Sequence, residues 1–144
     1  MSYWDTSALV KLSVAEEDSA QFHQLASIAI RIVTATLARL EARAVFRRIE
    51  AEGSLPPGDA AILSGEMEQD IANGRIVIQN ADAEMEREFA GVLERCFSQT
   101  PPVFLRTNDA VHIASALVAG ETEFVTADRR QRAAAVLMGL AVLP

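Results

Sequence analysis

Four acidic residues stand out because each falls at or near the boundary of a predicted strand or helix: Asp5, Glu41, Asp109 and Asp128. Two carboxylates about 4 Å apart repel by about 4 kcal/mol at an effective dielectric of about 20. If the fold brings the four acids together, they therefore need a bound cation. An all-oxygen donor set selects a hard ion such as Mg²⁺ or Mn²⁺. Such an ion holds phosphate oxygens and activates water for in-line displacement.

Asp5 follows Tyr3 and Trp4, which favour a strand. We expect Asp5 to lie at the carboxyl end of that strand, with Thr6 capping a helix over residues 7–12. Ligands of open α/β sheets bind at this edge. The alternative is that Asp5 is only a turn residue, a position in which aspartate is common.

Glu41 lies on the apolar face of a predicted helix. Leu37, Ala44 and Val45 fall within about 60° of it around the helix axis. A buried carboxylate without a partner is costly. Glu41 is therefore either a ligand in a charged site or one half of a buried ion pair, with Arg48 two turns on as the candidate partner.

Asp109 opens a predicted helix over residues 109–119 that is apolar nearly all round and is therefore expected to be buried. An acid in the first turn gains from the helix macrodipole, and that benefit alone is the alternative to a ligand role. His112 lies one turn beyond. It could be a ligand or general base, but we favour a core histidine that donates a hydrogen bond.

Asp128 follows a predicted strand over residues 123–126. With Gln131 three positions later, it resembles a capping box at the start of the last helix. Asp128 can be the helix cap, a ligand, or both. We expect the hydroxyl of Thr126 to orient it.

Strands and helices alternate along the chain. Strands are predicted at residues 3–4, 31–36, 75–79, 123–126 and 140–142. Helices are predicted at residues 7–12, from Glu16-Glu17-Asp18 onward, from Thr36 to before Gly53, and at 60–72, 82–97, 109–119 and 128–138. This alternation predicts an α/β fold, a three-layer α/β/α sandwich around a parallel sheet of four to five strands.

Composition limits the class of protein. A chain of 144 residues, half of them hydrophobic, is expected to fold as one ordered domain. The N-terminus carries Asp5 and Lys11 where a signal peptide needs an apolar block, and no apolar run spans a bilayer, so we expect a cytoplasmic protein without a membrane segment. The single Cys96 excludes an internal disulfide and a cysteine zinc site. A net charge of −7 argues against a passive nucleic-acid binder, but not against an enzyme that meets phosphate through a metal.

The sequence resembles PIN-domain ribonucleases, most closely VapC-type toxins of toxin–antitoxin pairs. The resemblance covers nearly the whole chain, as a single PIN domain over residues 1–144. It is carried by residues 5–11, Glu41, residues 109–116 and residues 126–130, in which the acids have the order and spacing of that family. Asn108 stands where the family more often has an apolar residue, which disturbs the expected helix packing but not the acid set.

The resemblance implies an endoribonuclease that cleaves RNA with Mg²⁺ or Mn²⁺. It also implies inhibition by a small VapB-type antitoxin, and usually a homodimer. Asp5 and Asp109 would bind the main metal, and Asp128 would complete the site or bind a second metal. Glu41 would hold a metal-bound water or act as general base. Hydroxyl groups would hold the carboxylates or water in place: Thr6, Ser7 and Thr126.

Other classes fit less well. A haloacid-dehalogenase-type phosphatase needs a second acid two residues after Asp5, where this chain has Ser7. A receiver domain needs a lysine late in the chain, and the only lysine is Lys11. Two alternatives remain open within the resemblance: a PIN nuclease of RNA processing without an antitoxin, and a non-catalytic PIN-like interaction module.

The arginines form two sets. One lies beside the acids in sequence and is a candidate for binding RNA phosphates: Arg106, Arg129 and Arg130. The other steps every four residues along the third helix, roughly opposite Glu41: Arg39, Arg43 and Arg47. We interpret this second set as a basic outer face, either solvated or a protein interface, rather than an RNA track.

Overall fold

A five-stranded parallel sheet forms the centre of the fold in this computed structural model, which describes residues 2–144. The strands are β1 Ser2–Trp4, β2 Ile32–Ala35, β3 Ile76–Gln79, β4 Glu123–Val125 and β5 Ala141–Leu143. They lie in the order β3-β2-β1-β4-β5, and every neighbouring pair is parallel. The predicted sheet is therefore confirmed.

Helices cover both faces of this sheet. They are α1 Thr6–Ser13, α2 Ser19–Ile28, α3 Thr36–Ala51, α4 Asp59–Ala72, α5 Ala83–Phe97, α6 Thr107–Val118 and α7 Arg129–Leu137. Successive side chains of a strand point to opposite faces. Accordingly Tyr3 belongs to one hydrophobic core and Trp4 to the other. The three-layer α/β/α prediction is confirmed, and none of the helices within residues 2–144 has the length and apolarity needed to cross a membrane.

The centre of the sheet is also its topological switch point. From β1 the chain passes to β2 and β3 on one side, and later to β4 and β5 on the other. Asp5 directly follows β1, and its backbone N–H donates to the carbonyl oxygen of Val125 at 3.1 Å. A crevice at the carboxyl ends of strands beside such a switch point is the usual ligand site of this architecture.

The predicted cap of α1 is wrong by one residue. Asp5, not Thr6, is the N-cap, and its carboxylate accepts from the backbone N–H of Ala8 at 2.9 Å. The backbone of Asp5 is extended and leads into the helix, so its own side chain reaches the free amides of the first turn. The Thr6 hydroxyl is then free to bind Glu41 instead.

The predicted capping box of α7 forms only in part. Asp128 is the N-cap and accepts from the backbone N–H of Arg130 at 2.9 Å. Gln131 makes no return bond. It is buried, and its Oε1 has no hydrogen-bond partner among residues 2–144.

The arginine stripe of α3 is not a free basic face. Arg39 and Arg43 both pair with Glu68 of α4, and the Arg43–Glu68 distance is 2.8 Å. Arg47 pairs with Glu50 at 3.3 Å. The positive charges predicted for an outer face are thus largely matched by acids of the same chain, which the sequence could not show because Glu68 is distant in sequence.

Candidate active site

All four acids singled out in the sequence line one open cleft of ≈ 880 Å³ beside the carboxyl end of β1. The remaining predicted site residues in this lining are Thr6, Ser7 and Arg106. Asp5 and Asp109 are each 1% exposed, whereas the Glu41 and Asp128 side chains are partly accessible. The cleft therefore has two deeply buried carboxylates and two accessible ones.

Asp5 is held on both carboxylate oxygens. The Ser7 hydroxyl lies 2.7 and 2.9 Å from them, and the Thr126 hydroxyl donates to Oδ2 at 2.7 Å. Burial raises the pKa of Asp5 above its usual range, and these donors oppose the shift only in part. Asp5 is a rigidly placed carboxylate whose charge is costly in the absence of a cation.

The two hydroxyls also fix the loop after β4. The Ser7 hydroxyl accepts from the backbone N–H of Ala127, and the Thr126 hydroxyl accepts from the backbone N–H of Asp128, both at 2.9 Å. Thr126 thus orients the carboxylate of Asp5 and the backbone of Asp128. The Thr126 hydroxyl contacts Asp128, as expected, but through the backbone N–H of Asp128, and its own proton is donated to the carboxylate of Asp5.

Glu41 reaches the cleft from α3. It accepts from the Thr6 hydroxyl and the Asn108 side-chain amide, and its Oε2 lies 3.2 Å from Nε2 of His112. The contact with His112, followed by those from Thr6 and Asn108, outweighs partial burial and lowers the pKa of Glu41 to about 2. The alternative ion pair with Arg48 does not form, since Arg48 pairs instead with Glu52 at 3.9 Å.

His112 is buried, as the sequence predicts, but it also contacts the cleft. Its Nδ1 lies 2.9 Å from the Tyr3 hydroxyl, and its Nε2 faces Glu41 and the Thr6 hydroxyl. One neutral tautomer satisfies these contacts: Tyr3 donates to Nδ1, and Nε2–H donates towards Glu41. His112 therefore links the buried Tyr3 to Glu41, with one contact at each ring nitrogen.

This relay predicts a measurable coupling. Tyr3→Phe keeps the stacking on Phe124, at 5.4 Å between ring centroids, but leaves Nδ1 of His112 without its donor. We expect the free energy of unfolding in urea to fall by about 1–3 kcal/mol. A double-mutant cycle with His112→Phe should give a coupling of at least about 0.5 kcal/mol. Strict additivity of the two losses would show that the Tyr3–His112 contact contributes nothing.

Asp109 and Asp128 share one positive neighbour. Arg106 donates to Asp109 through its backbone N–H at 2.9 Å, through Nε at 3.1 Å and through Nη2 at 3.0 Å. The same Nη2 lies 3.2 Å from Oδ2 of Asp128. Arg130 also binds Asp128, and partial burial, which would raise the pKa of Asp128, is outweighed by these arginines, so that pKa is lowered.

A family model for the PIN domain matches residues 2–137, nearly the whole chain. The chain belongs to the PIN-domain family. No curated protein sequence is significantly similar to it.

Solved structures with the same fold are distant in sequence. VapC20 of Mycobacterium tuberculosis, described as a sarcin–ricin loop cleaving toxin, is 17% identical, with 93% of this chain and 95% of that chain covered and a TM-score of 0.70. FitAcB from Neisseria gonorrhoeae is 14% identical (100% and 97% covered, TM-score 0.69). VapBC2 from Rickettsia felis, bound to a promoter DNA fragment, is 14% identical (99% and 98% covered, TM-score 0.67). At these identities the likeness establishes the fold.

The fit of this PIN domain to a divalent metal is mixed. Four carboxylates and several hydroxyls form a hard, all-oxygen donor set, which suits Mg²⁺ or Mn²⁺. However, within residues 2–144 no group of three acids, histidines or cysteines is spaced to hold an ion. The Arg106 guanidinium lies between Asp109 and Asp128 at hydrogen-bond distances. The oxygen donors therefore suit a divalent metal, but the Arg106 guanidinium occupies the space between two of them, Asp109 and Asp128.

Sequence reasoning missed Asn108 and His112 as partners of Glu41. Asn108 counted only as a departure from the resemblance, yet its amide binds Glu41. It precedes His112 by four residues, so both lie on one face of α6. A polar pair at this spacing in an otherwise apolar helix was the available signal. Of the predicted RNA-binding arginines, Arg106 and Arg130 contact the acids, and Arg129 is exposed.

Proposed function

We propose that this PIN-domain protein is an endoribonuclease that hydrolyses RNA phosphodiester bonds with Mg²⁺ or Mn²⁺. The observation that carries the proposal is the convergence of Asp5, Glu41, Asp109 and Asp128 on one cleft at the switch point of the sheet. Each acid arrives from a different element, and each is held by donors of the chain. Such a constellation of fixed anions suits a cation that in turn binds phosphate.

The acids divide the work according to their surroundings. Asp5, Asp109 and Asp128 are the proposed metal ligands, and the bound ion would supply positive charge for phosphate oxygens and acidify a water molecule. Glu41 stays ionised because its pKa is lowered to about 2. A carboxylate of such low pKa is a weak base at neutral pH, so we favour for Glu41 the holding and orienting of water over proton abstraction.

The hydroxyls and arginines have supporting roles in this proposal. Ser7 and Thr126 keep Asp5 in one orientation, and Thr6 does the same for Glu41. Arg129 and Arg130 lie at the start of α7, exposed beside Asp128, where RNA phosphates would approach. Phosphate contacts of this kind position a nucleic acid without reading its sequence.

We further propose that the chain is the toxin of a toxin–antitoxin pair, restrained by a small VapB-type antitoxin and assembled as a homodimer. One of the similar structures, VapC20, supports this assignment, since it is described as a toxin. The alternative is a PIN nuclease of RNA processing. A small DNA-binding protein encoded next to this chain that co-purifies with it would distinguish the toxin from that alternative.

The activity is tested on the purified protein with a mixed pool of single-stranded and structured RNA. We expect cleavage with Mg²⁺ or Mn²⁺ and none with excess EDTA, and restored cleavage when metal is added back. The matched pool of DNA should resist. Retention of RNA on the protein with no cleavage under any of these ions would instead support a non-catalytic PIN-like module.

A further inference from the structure

Arg106 is the one side chain within residues 2–144 that contacts the carboxylates of two of the cleft's four acids. Its Nη2 lies 3.0 Å from Oδ1 of Asp109 and 3.2 Å from Oδ2 of Asp128. The Arg106 side chain is 58% exposed, whereas that of Asp109 is 1% exposed. A guanidinium that reaches inward from solvent to a buried carboxylate compensates its charge.

The position of this guanidinium reduces the repulsion between the carboxylates of Asp109 and Asp128. Asp109 and Asp128 come from α6 and from the loop before α7, and each meets positive charge at the same nitrogen. A divalent ion would compete for the same carboxylate oxygens, because both cations neutralise the same pair. The Arg106 guanidinium and a metal ion therefore cannot both occupy the space between Asp109 and Asp128.

We propose that Arg106 is a resident counter-ion that a divalent metal displaces from Asp109 and Asp128. The inference rests on the proposed metal-dependent function and adds that Arg106 competes with the metal for two of its ligands. Metal entry then turns the guanidinium outward, which its exposure permits without disturbing the core. Arg106 thus sets the affinity of the cleft for metal, and it holds the acid pair together when metal is absent.

The backbone allows this role to be separated from a purely structural one. The backbone N–H of Arg106 donates to Oδ2 of Asp109 at 2.9 Å and remains in any substitution except proline. That bond preserves the orientation of Asp109 at the start of α6 when the guanidinium is removed. A change in metal affinity on replacing the side chain therefore reports the charge, not a lost helix start.

The test is titration of Mn²⁺ into metal-free wild type and Arg106→Gln, followed by isothermal calorimetry and by thermal unfolding. We expect Arg106→Gln to bind Mn²⁺ roughly tenfold tighter, on the order of one charge-assisted contact. Without metal, we expect Arg106→Gln to unfold at a lower temperature than wild type. On metal addition, its unfolding temperature should rise more than that of wild type. Arg106→Lys keeps the charge, and its Mn²⁺ affinity should lie between those of wild type and Arg106→Gln.

Arg31→Gln is the matched control. It makes the same change in net charge, and Arg31 is exposed at the amino end of β2 and does not line the cleft. Its Mn²⁺ affinity should rise by less than about twofold, the scale of a screened surface charge. Equal gains in Arg106→Gln and Arg31→Gln would overturn the specific role of Arg106 in favour of bulk electrostatics.

Two further outcomes separate this inference from the proposed function. Weaker Mn²⁺ binding by a folded Arg106→Gln, with wild type binding normally, would overturn the counter-ion role and leave the metal nuclease standing. Absence of Mn²⁺ binding in every variant, wild type included, would overturn both. RNA cleavage is not needed for either conclusion.

Discussion

Asp109→Asn should reduce RNA cleavage by at least about a hundredfold while leaving the fold intact, the scale of losing one major electrostatic contribution. Asn keeps the size of Asp and can still accept from the backbone N–H of Arg106 at the start of α6. It lacks the charge that would hold a hard cation. The Arg106 side chain is exposed enough to turn to solvent when its partner becomes neutral. The measurement is cleavage of the mixed RNA pool with Mn²⁺, with circular dichroism to confirm folding.

Asp82→Asn provides the matched control for this variant. Asp82 is the N-cap of α5, where its carboxylate accepts from the backbone N–H groups of Glu84 and Met85, and it does not line the cleft. The chemical change is the same and also lies at a helix start. We expect cleavage at the wild-type rate. A folded Asp109→Asn that cleaves as fast as Asp82→Asn would refute the metal-nuclease proposal.

His112→Gln should cost much less activity than Asp109→Asn. His112 lies behind Glu41, with Tyr3 on its other side, and a glutamine amide can still donate towards Glu41. The two remaining donors, Thr6 and Asn108, keep Glu41 in the cleft. If His112→Gln folds normally but is as inactive as Asp109→Asn, the general base is His112, and the role of Glu41 must be revised.

The sequence predicted the placement of the acids well because backbone periodicity decides it. Asp5 falls after β1, Asp128 after β4 and Asp109 in the first turn of α6, and strand and helix signals are local. Parallel strands bring their carboxyl ends to one edge, so convergence follows from topology. The outlines of the sheet and of the cleft therefore follow from local patterns in the chain.

The partners of the acids could not be predicted in the same way. Glu41 binds His112, 71 residues away, rather than Arg48 on its own helix. Arg39 and Arg43 meet Glu68 because α3 and α4 pack side by side. Such choices depend on the angle and distance between packed helices, which hydrophobic patterning does not specify. The same limit applies to Arg106, predicted to meet RNA phosphate but found between two carboxylates.

Asp5→Asn should abolish the thermal stabilisation that metal gives to the wild type. A ligand that binds only the folded state stabilises it by RT ln(1 + [L]/Kd), which is about 2.7 kcal/mol at about 100 times Kd. For a chain of this size that corresponds to a rise of roughly 5–10 °C in Tm. We expect this rise on adding Mn²⁺ or Mg²⁺ to the wild type and to Asp82→Asn, followed by differential scanning fluorimetry, and none in Asp5→Asn. An equal rise in all three would place the metal elsewhere.

The metal-free Asp5→Asn protein should be more stable than metal-free wild type at neutral pH. Burial raises the pKa of Asp5, so the folded state binds this proton more tightly than the unfolded chain does. The stabilising effect of that proton is complete below the unfolded pKa and is lost as pH rises through the folded pKa. At neutral pH, above the unfolded pKa, the folded protein must either bury the charge of Asp5 or take up a proton, and both disfavour folding. Asparagine carries no charge, and its oxygen can still cap α1 at Ala8. The difference in Tm between the two proteins should shrink as the pH is lowered towards 4. If Asp5→Asn is instead less stable than wild type at every pH, the hydrogen bonds that Ser7 and Thr126 donate to Asp5 outweigh the cost of its burial.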